Sequence, residues 1–261
     1  MNHEIKPLVP VNPEGLDEIA EALLNETPPE EDTCLADTNV QNNQDFWRIG
    51  SVQYRNGIYV VDLAKSLLDN GNTRTQDDWA KHYESAIGRN EFHTPNYPLL
   101  YGLVKALYNA RDKPAQKNNV AETSSFLKDK SRAHWLMTLT RVRYQPQGND
   151  VVIHNYGTRD KYEEQVDFIG PDERIEGTAK PLACQRLLGT NDSVQNINNL
   201  FNWLNGTDIY IWRVNKKPKK VDERVAGFGA GSVGAILNCN RNPSCAYSSL
   251  GVRFVRAQKN F

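Results

Sequence analysis

The sequence lacks an excess of either charge. Its 261 residues include 31 lysines and arginines against 32 aspartates and glutamates, a formal net charge of -1. Nucleic acids and anionic membranes attract broadly basic surfaces, so neither is an expected partner. The one basic cluster, Lys216-Lys217-Pro218-Lys219-Lys220, is typical of a solvated loop because it surrounds a proline.

Long apolar runs are also missing. No stretch of eighteen apolar residues occurs, and the first residues show no apolar run between a basic flank and a cleavage site. The sequence therefore predicts neither a signal peptide nor membrane insertion. A cytoplasmic or virion-associated location is expected.

Cysteine and histidine are too few, and too far apart, to indicate a metal site. Cys34, Cys184, Cys239 and Cys245 lack the short paired spacing of zinc ligands and are too few for a disulfide framework, so free thiols are expected. Whether Cys239 and Cys245 pair stays open. The five histidines show no short-spaced pair, and no nucleophile elbow, phosphate-binding loop or zinc-protease motif is present. We therefore predict no catalytic residue, metal or cofactor, and a function other than that of an enzyme.

A glycine pattern, Gly229 to Gly234, resembles the fingerprint of dinucleotide-binding folds. That fingerprint opens a helix and is followed by an acidic residue about twenty positions on. No Asp or Glu occurs after Glu223. The pattern therefore indicates a glycine-rich loop.

Periodicity predicts an α+β protein. Residues 1–45 form a helix (15–24) and a polar arm, and residues 46–261 form a single domain. Helical patterns occur at 58–68, 76–87, 97–109 and 193–204, the second with Thr75 as N-cap. A β-hairpin is predicted for residues 135–144 and 151–156. A strand anchored by Trp212 is predicted for residues 208–214, and a closing strand for residues 250–255.

Residues 225–249 have an unusual composition. They include no Lys, Asp, Glu, Gln, Met or Trp and consist mainly of Gly, Ala, Ser, Asn and Cys, with single aromatic residues at Phe228 and Tyr247. Small residues bury little apolar area. A loop with little core of its own is therefore expected.

The segment from Asn240 to Arg256 resembles the closing segment of the formylglycine-generating-enzyme branch of C-type lectin folds. That branch ends in an Asn-x-x-Pro-like turn, a polar loop and a Leu/Ile-Gly-Phe-Arg strand, and Pro243 and Gly251 keep its interval of eight residues. Val252 stands where Phe is usual. The helical pattern at 198–205 and the strand pattern at 211–215 are similar to the helix and strand that precede this segment in variable proteins of diversity-generating retroelements. The resemblance implies a C-type lectin-like fold, with helices around a small, mostly antiparallel sheet.

The resemblance implies two competing functions. Formylglycine-generating enzymes bind copper with a cysteine pair upstream of the closing loop; here Cys245 lies inside the loop and only Cys239 lies upstream of the proline. The match to the catalytic pair therefore fails in register, and a metal-dependent oxidoreductase is kept only as an alternative, as is a structural or virion protein with one fixed contact.

The other implied function is ligand binding by a diversified surface. Retroelement variable proteins change asparagine codons through adenine miscopying, which never yields Lys, Gln, Glu, Met or Trp. All of residues 225–249 fall within the permitted set. We therefore expect a variable protein with a variable region at 225–256 and an unknown protein or surface ligand.

We expect the ligand-facing positions to alternate along this region. They are Phe228, Ala230, Ser232, Gly234, Ile236, Asn238, Asn240, Cys245 and Tyr247. A second set is expected to form the scaffold, with Asn242-Pro243 setting a turn and Arg253 pairing with a carboxylate or backbone carbonyls. The scaffold set is Arg241, Asn242, Pro243, Gly251 and Arg253.

Overall fold

The computed structural model describes residues 39–167, 173–212, 217–231 and 234–255. In these ranges the chain forms eleven strands: β1 (Val40–Asn42), β2 (Phe46–Tyr54), β3 (Gly57–Leu67), β4 (Leu136–Tyr144), β5 (Asp150–His154), β6 (Tyr162–Val166), β7 (Arg174–Glu176), β8 (Ile209–Trp212), β9 (Asp222–Gly231), β10 (Gly234–Arg241) and β11 (Leu250–Phe254). It also forms five α-helices: α1 (Gln76–Arg89), α2 (Tyr97–Ala110), α3 (Lys117–Ala133), α4 (Pro181–Leu188) and α5 (Val194–Asn205). None of these helices is long and apolar enough to cross a membrane.

The strands form two sheets. The smaller sheet has the order β1-β2-β3-β11, and the larger has the order β6-β5-β4-β9-β10-β8-β7. All neighbouring strands are antiparallel except β8 and β10, which are parallel. The predicted α+β class is confirmed, although two sheets replace the single small sheet that was expected.

One hydrophobic core joins the two sheets and four helices. It receives buried side chains from β2, β3 and β11 of the smaller sheet and from one face of the larger sheet. Helices α2, α3, α4 and α5 pack against it, for example through Leu103, Leu127, Leu187 and Phe201. This face of the larger sheet is called the inner face below.

A second hydrophobic cluster lies on the opposite, outer face of the larger sheet. It packs Trp79 and Tyr83 of α1 against Met137 and Leu139 of β4 and Val225 of β9. Helix α1 begins where the sequence predicted, and the Thr75 side chain accepts a hydrogen bond from Asp78 N. The predicted helices at 97–109 and 193–204 and the predicted hairpin at 135–156 are also confirmed.

Two secondary-structure predictions for the first half of the chain are wrong. Residues 58–68, predicted as a helix, belong mainly to strand β3, which pairs with β2 on one side and β11 on the other. Hydrogen bonding on both edges and the β-branched Val60 and Val61 override the helical spacing of its apolar residues. The polar arm expected to reach residue 45 contains strand β1, paired with β2. The remainder of that arm, and the helix expected at 15–24, lie outside the described residues.

The loop expected at 225–249 is largely a hairpin in the middle of the larger sheet. Strands β9 and β10 pair with each other and also with β4 and β8, and Ala226, Phe228 and Leu237 belong to the main core. Small residues fit here because both faces are crowded. A Cβ on Gly229 would lie 2.5 Å from the Trp135 ring, and a Cβ on Gly234, whose φ is +103°, would lie 1.8 Å from Thr207 Oγ1.

The burial of two histidines leads us to expect that the free energy of unfolding depends on pH. Desolvation by burial lowers the pKa of His93 and of His154 to about 4. An unfolded histidine has a pKa of about 6.5, so between about pH 6.5 and 4 only the unfolded chain binds these protons. The free energy of unfolding should therefore fall as the pH drops through this window, by about 3 kcal/mol per histidine.

Urea unfolding at a series of pH values measures this loss. The side chain of His93 packs against Tyr83 and Phe254, and its Nε2 has no hydrogen-bond partner. His93→Phe should therefore remain folded and reduce the pH slope by about 1.4 kcal/mol per pH unit. An unchanged slope in this variant would show that His93 is already protonated in the folded chain.

Candidate ligand-binding surface

The outer face of the larger sheet carries half-buried aromatic and arginine side chains at the end that α1 does not cover. Because successive residues of a strand point to opposite faces, the core positions Ile211 of β8 and Leu237 of β10 place their neighbours on the outer face. We call this surface the arginine–aromatic face. Its members are Trp135, Arg174, Tyr210, Trp212, Arg241 and Tyr247.

The strand register sets these residues in rows. Glu176, Tyr210, Ile236 and Gly229 lie side by side across β7, β8, β10 and β9. The next row is Arg174, Trp212, Asn238 and Gly227. The guanidinium carbon of Arg174 lies 3.5 Å from the centre of the Tyr210 ring, which joins the two rows.

Arg241 lies between two aromatic rings. Its guanidinium carbon is 4.3 Å from the centre of the Trp135 ring and 4.1 Å from that of Tyr247. A register shift between Asn238 and Arg241 places Arg241 opposite Val225, which belongs to the outer-face cluster. A bulge of this kind commonly changes the direction of a side chain. Without this bulge, the Arg241 side chain would point toward the core, as those of Leu237 and Cys239 do.

The loop after β10 is held at several points. Asn242 Oδ1 accepts a hydrogen bond from Ser244 N, and Asn242 O accepts one from Cys245 N, which forms the expected turn. Tyr247 exchanges two backbone hydrogen bonds with Arg74, and its carbonyl accepts a third from Trp79 Nε1. The loop therefore has a fixed backbone at both of its ends.

The closing strand ties this loop to the smaller sheet. Strand β11 pairs with β3, and Arg253 donates two hydrogen bonds to Asp62 Oδ2, at 2.6 and 3.2 Å. Arg253 thus has the carboxylate partner that the sequence led us to expect. A Cβ on Gly251 would lie 2.9 Å from Leu68 Cδ2, so the strand also passes closely over its neighbour.

Several positions expected to face a ligand do not. Phe228 and Ala230 lie on the inner face of β9, and Phe228 is 2 % exposed. We predicted that the even-numbered residues of this strand face outward, but they face the core. Gly234 has no room for a side chain beside Thr207. Ser232 lies outside the described residues.

Two further positions lie on the outer face but are covered. Ile236 is 4 % exposed and Asn238 is 6 % exposed. Their neighbours in register are the larger side chains of Tyr210 and Trp212. Ile236 and Asn238 are therefore packed beneath the surface side chains and do not face a ligand.

Three of the expected ligand-facing positions are accessible. Asn240 and Tyr247 are half-buried beside Arg241, and Cys245 is exposed in the loop. Sequence reasoning missed Trp135, Arg174 and Tyr210 and assigned Arg241 to the scaffold alone. The alternation at 208–214 does contain a usable signal, since it places Tyr210 and Trp212 on the face opposite to Ile209 and Ile211.

The described cysteines, Cys184, Cys239 and Cys245, are all free thiols. Cys239 is buried in the core, whereas Cys245 is exposed, so the disulfide left open by the sequence is not formed. Burial raises the pKa of the Cys239 thiol well above its ordinary value, which keeps it protonated. Within the described ranges, no group of three or more His, Cys, Asp or Glu residues is placed to hold a metal ion. The glycine pattern at 229–234 spans two paired strands and opens no helix.

We compared the chain with protein-family models, with curated proteins and with solved structures, and nothing matches in any of the three comparisons.

Proposed function

We propose that this chain is a ligand-binding variable protein of a diversity-generating retroelement, with a C-type lectin-like fold. The observation that carries the proposal is the arginine–aromatic face. It brings together half-buried Trp, Tyr and Arg side chains from strands β7, β8 and β10, from the residue before β4 and from the loop after β10, and the composition of that loop stays within the permitted residue set. Trp, Tyr and Arg are the residue types that dominate the binding energy of protein interfaces.

The order of the last elements supports the lectin-like assignment. Helix α5 and strand β8 come before residues 225–249 and β11 follows them, which is the order of helix, strand and closing strand that the resemblance implies, although the β9–β10 hairpin between them was not part of that expectation. The pairing of β11 with β3 fastens the C-terminal segment to the protein body. A segment held in this way can present side chains in constant positions.

A rigid surface favours binding with few contacts. Ordering a flexible loop on binding costs free energy, and this surface avoids much of that cost because strands β8, β9 and β10 are already paired. Aromatic side chains add contact area while only two torsion angles become fixed. Useful affinity can therefore arise from a small set of side chains.

Diversification is proposed only for one side of this segment. Side chains that point inward, such as Phe228, Leu237 and Cys239, fill the core, and their exchange would destabilise the fold. The accessible positions, apart from Asn242 whose side chain forms the turn, are Asn240, Ser244, Cys245, Ala246 and Tyr247. The ligand-facing set is thus shifted from the hairpin toward its C-terminal end and the loop that follows.

The DNA around the gene tests the proposal. We expect a nearby copy of the 3′ coding end that differs mainly at adenines, together with a reverse transcriptase reading frame. Deep sequencing of the gene in a population should then show variants concentrated at the accessible positions. A single invariant coding end without such a copy would instead favour a protein with one fixed contact.

Two cysteines provide a matched test of where exchange is tolerated. Tyrosine belongs to the permitted set at both positions, but Cys245 is exposed and Cys239 is buried. Cys245→Tyr should change the free energy of unfolding by less than about 0.5 kcal/mol. Cys239→Tyr should lower it by about 1 to 3 kcal/mol or more, because the core has no space for the ring.

Urea unfolding of both variants measures this difference. Equal effects of the two substitutions would remove the distinction between core-facing and accessible positions on which the proposal depends.

A further inference from the structure

Among the residues that the structure describes, two arginines on the arginine–aromatic face have no acidic partner. Nε of Arg174 and Nε of Arg241 are buried without a hydrogen-bond partner, and neither guanidinium forms an ion pair within the described residues. The other half-buried arginines in the described ranges do have such partners, for example Arg143 with Glu223 and Arg253 with Asp62. A guanidinium that is partly desolvated and unpaired gains strongly when an anion binds it.

The aromatic rings orient both guanidinium groups. Arg241 lies between the Trp135 and Tyr247 rings, and Arg174 lies over the Tyr210 ring. Stacking occupies the flat faces of a guanidinium, and because Nε is buried in both arginines the terminal Nη–H groups are the donors left for a ligand. The edge that carries these groups matches the two oxygens of a carboxylate.

We propose that the arginine–aromatic face binds a protein segment that presents two carboxylate side chains, one for Arg174 and one for Arg241. This inference rests on the proposed function, because it specifies the ligand chemistry of the same surface. Strand β8 separates β7 from β10, so the two arginine backbones are roughly 10 to 15 Å apart, which an extended acidic segment can span.

The surrounding charges favour an acidic partner. Lys219 and Lys220 are exposed in the segment before β9, at the end of the sheet where Arg241 lies. Among the described residues of the two rows, the acidic side chain is Glu176, which is exposed on the edge strand β7. The acids at the start of β9 are already paired, Asp222 with Arg224 and Glu223 with Arg141 and Arg143.

A protein fits this surface better than a nucleic acid does. The net charge of the chain is -1, and Arg241 occupies one face of each of the Trp135 and Tyr247 rings, which leaves less ring surface for stacking with bases. Arg174 lies outside residues 225–249, and Arg241 belongs to the predicted scaffold. Both can therefore stay constant while accessible positions that do not stack on them, such as Asn240 and Cys245, change, so that the variants of this protein would share a preference for acidic partners.

Binding of a fluorescent oligoglutamate peptide to the full chain, followed by anisotropy at low salt, tests the proposal. A matched oligoglutamine peptide should bind much more weakly. Arg174→Gln and Arg241→Gln should each weaken oligoglutamate binding by about tenfold, and the double variant by more. Arg241→Lys keeps the charge but loses the paired donors, so it should recover only part of the affinity.

Arg186→Gln is the matched control, because Arg186 is paired with Glu164 and lies on α4, which packs on the other side of the sheet. Arg186→Gln should leave oligoglutamate binding unchanged. All variants should unfold at nearly the same urea concentration as the parent. The proposal is overturned if the double variant binds oligoglutamate as well as the parent does, or if a labelled oligonucleotide binds more tightly than the peptide. Neither result alters the test of the coding DNA, so failure of the acidic partner can be told apart from failure of the proposed function.

Discussion

Replacement of Phe228 by alanine should lower the free energy of unfolding by about 3 to 5 kcal/mol. The ring is 2 % exposed and belongs to the main core, where its centre lies 5.8 Å from that of Phe201 on α5. Removing it would leave a cavity between β9 and α5, because the surrounding strands are paired on both sides and cannot close over the space. Urea unfolding monitored by circular dichroism gives the change directly.

The control for this prediction is Asn240→Ala. Asn240 lies on the neighbouring strand β10, is half-buried and does not belong to the core. Its replacement should change stability much less, by about 1 kcal/mol or less. A small effect at Phe228, or an equally large one at Asn240, would mean that the two strands do not face the core in the way the structure describes.

The second large effect concerns the buried carboxylate of Asp62. Its side chain is 1 % exposed and pairs with Arg48 from β2 and Arg253 from β11. Replacing both arginines by alanine should lower the free energy of unfolding by about 3 to 5 kcal/mol, since a buried charge would be left without a partner. Arg253→Ala alone should cost less, because Arg48 remains bonded to Asp62.

A third substitution separates charge from packing. If the loss comes from an unpaired carboxylate, adding Asp62→Asn to the double variant should restore a large part of the stability, because the buried charge is then gone. If Asp62→Asn restores nothing, the arginines stabilise the sheet through their contacts with Phe46 and Phe92 and not through the ion pairs.

The sequence predicted the elements whose signals are local. Helices α1 and α5 carry side-chain caps at Thr75 and Ser193 as well as an amphipathic spacing, and both were found at their predicted positions. The β4–β5 hairpin was marked by turn residues on either side of Gly148. Strand β3 was misread because its apolar spacing also suits a helix, and its pairing with β2 and β11 depends on residues far away in the chain.

The candidate site was predicted only in part, for a related reason. A strand made of Gly and Ala has no clear hydrophobic phase, so the sequence could not tell which side of β9 faces the core. The face also depends on contacts between distant residues, such as Arg241 with Trp135 and Arg174 with Tyr210. The loop after Asn242 was better anticipated because its turn is set by adjacent residues.

The central claim is that only one side of the 225–247 segment can be exchanged. Saturation substitution of this segment, with folded variants selected by resistance to a protease, measures that tolerance at every position. We expect broad tolerance at Ser244, Cys245 and Ala246, and strong selection against change at Ala226, Phe228, Leu237 and Cys239. Equal tolerance at both sets, or stronger selection at the loop positions, would contradict the account.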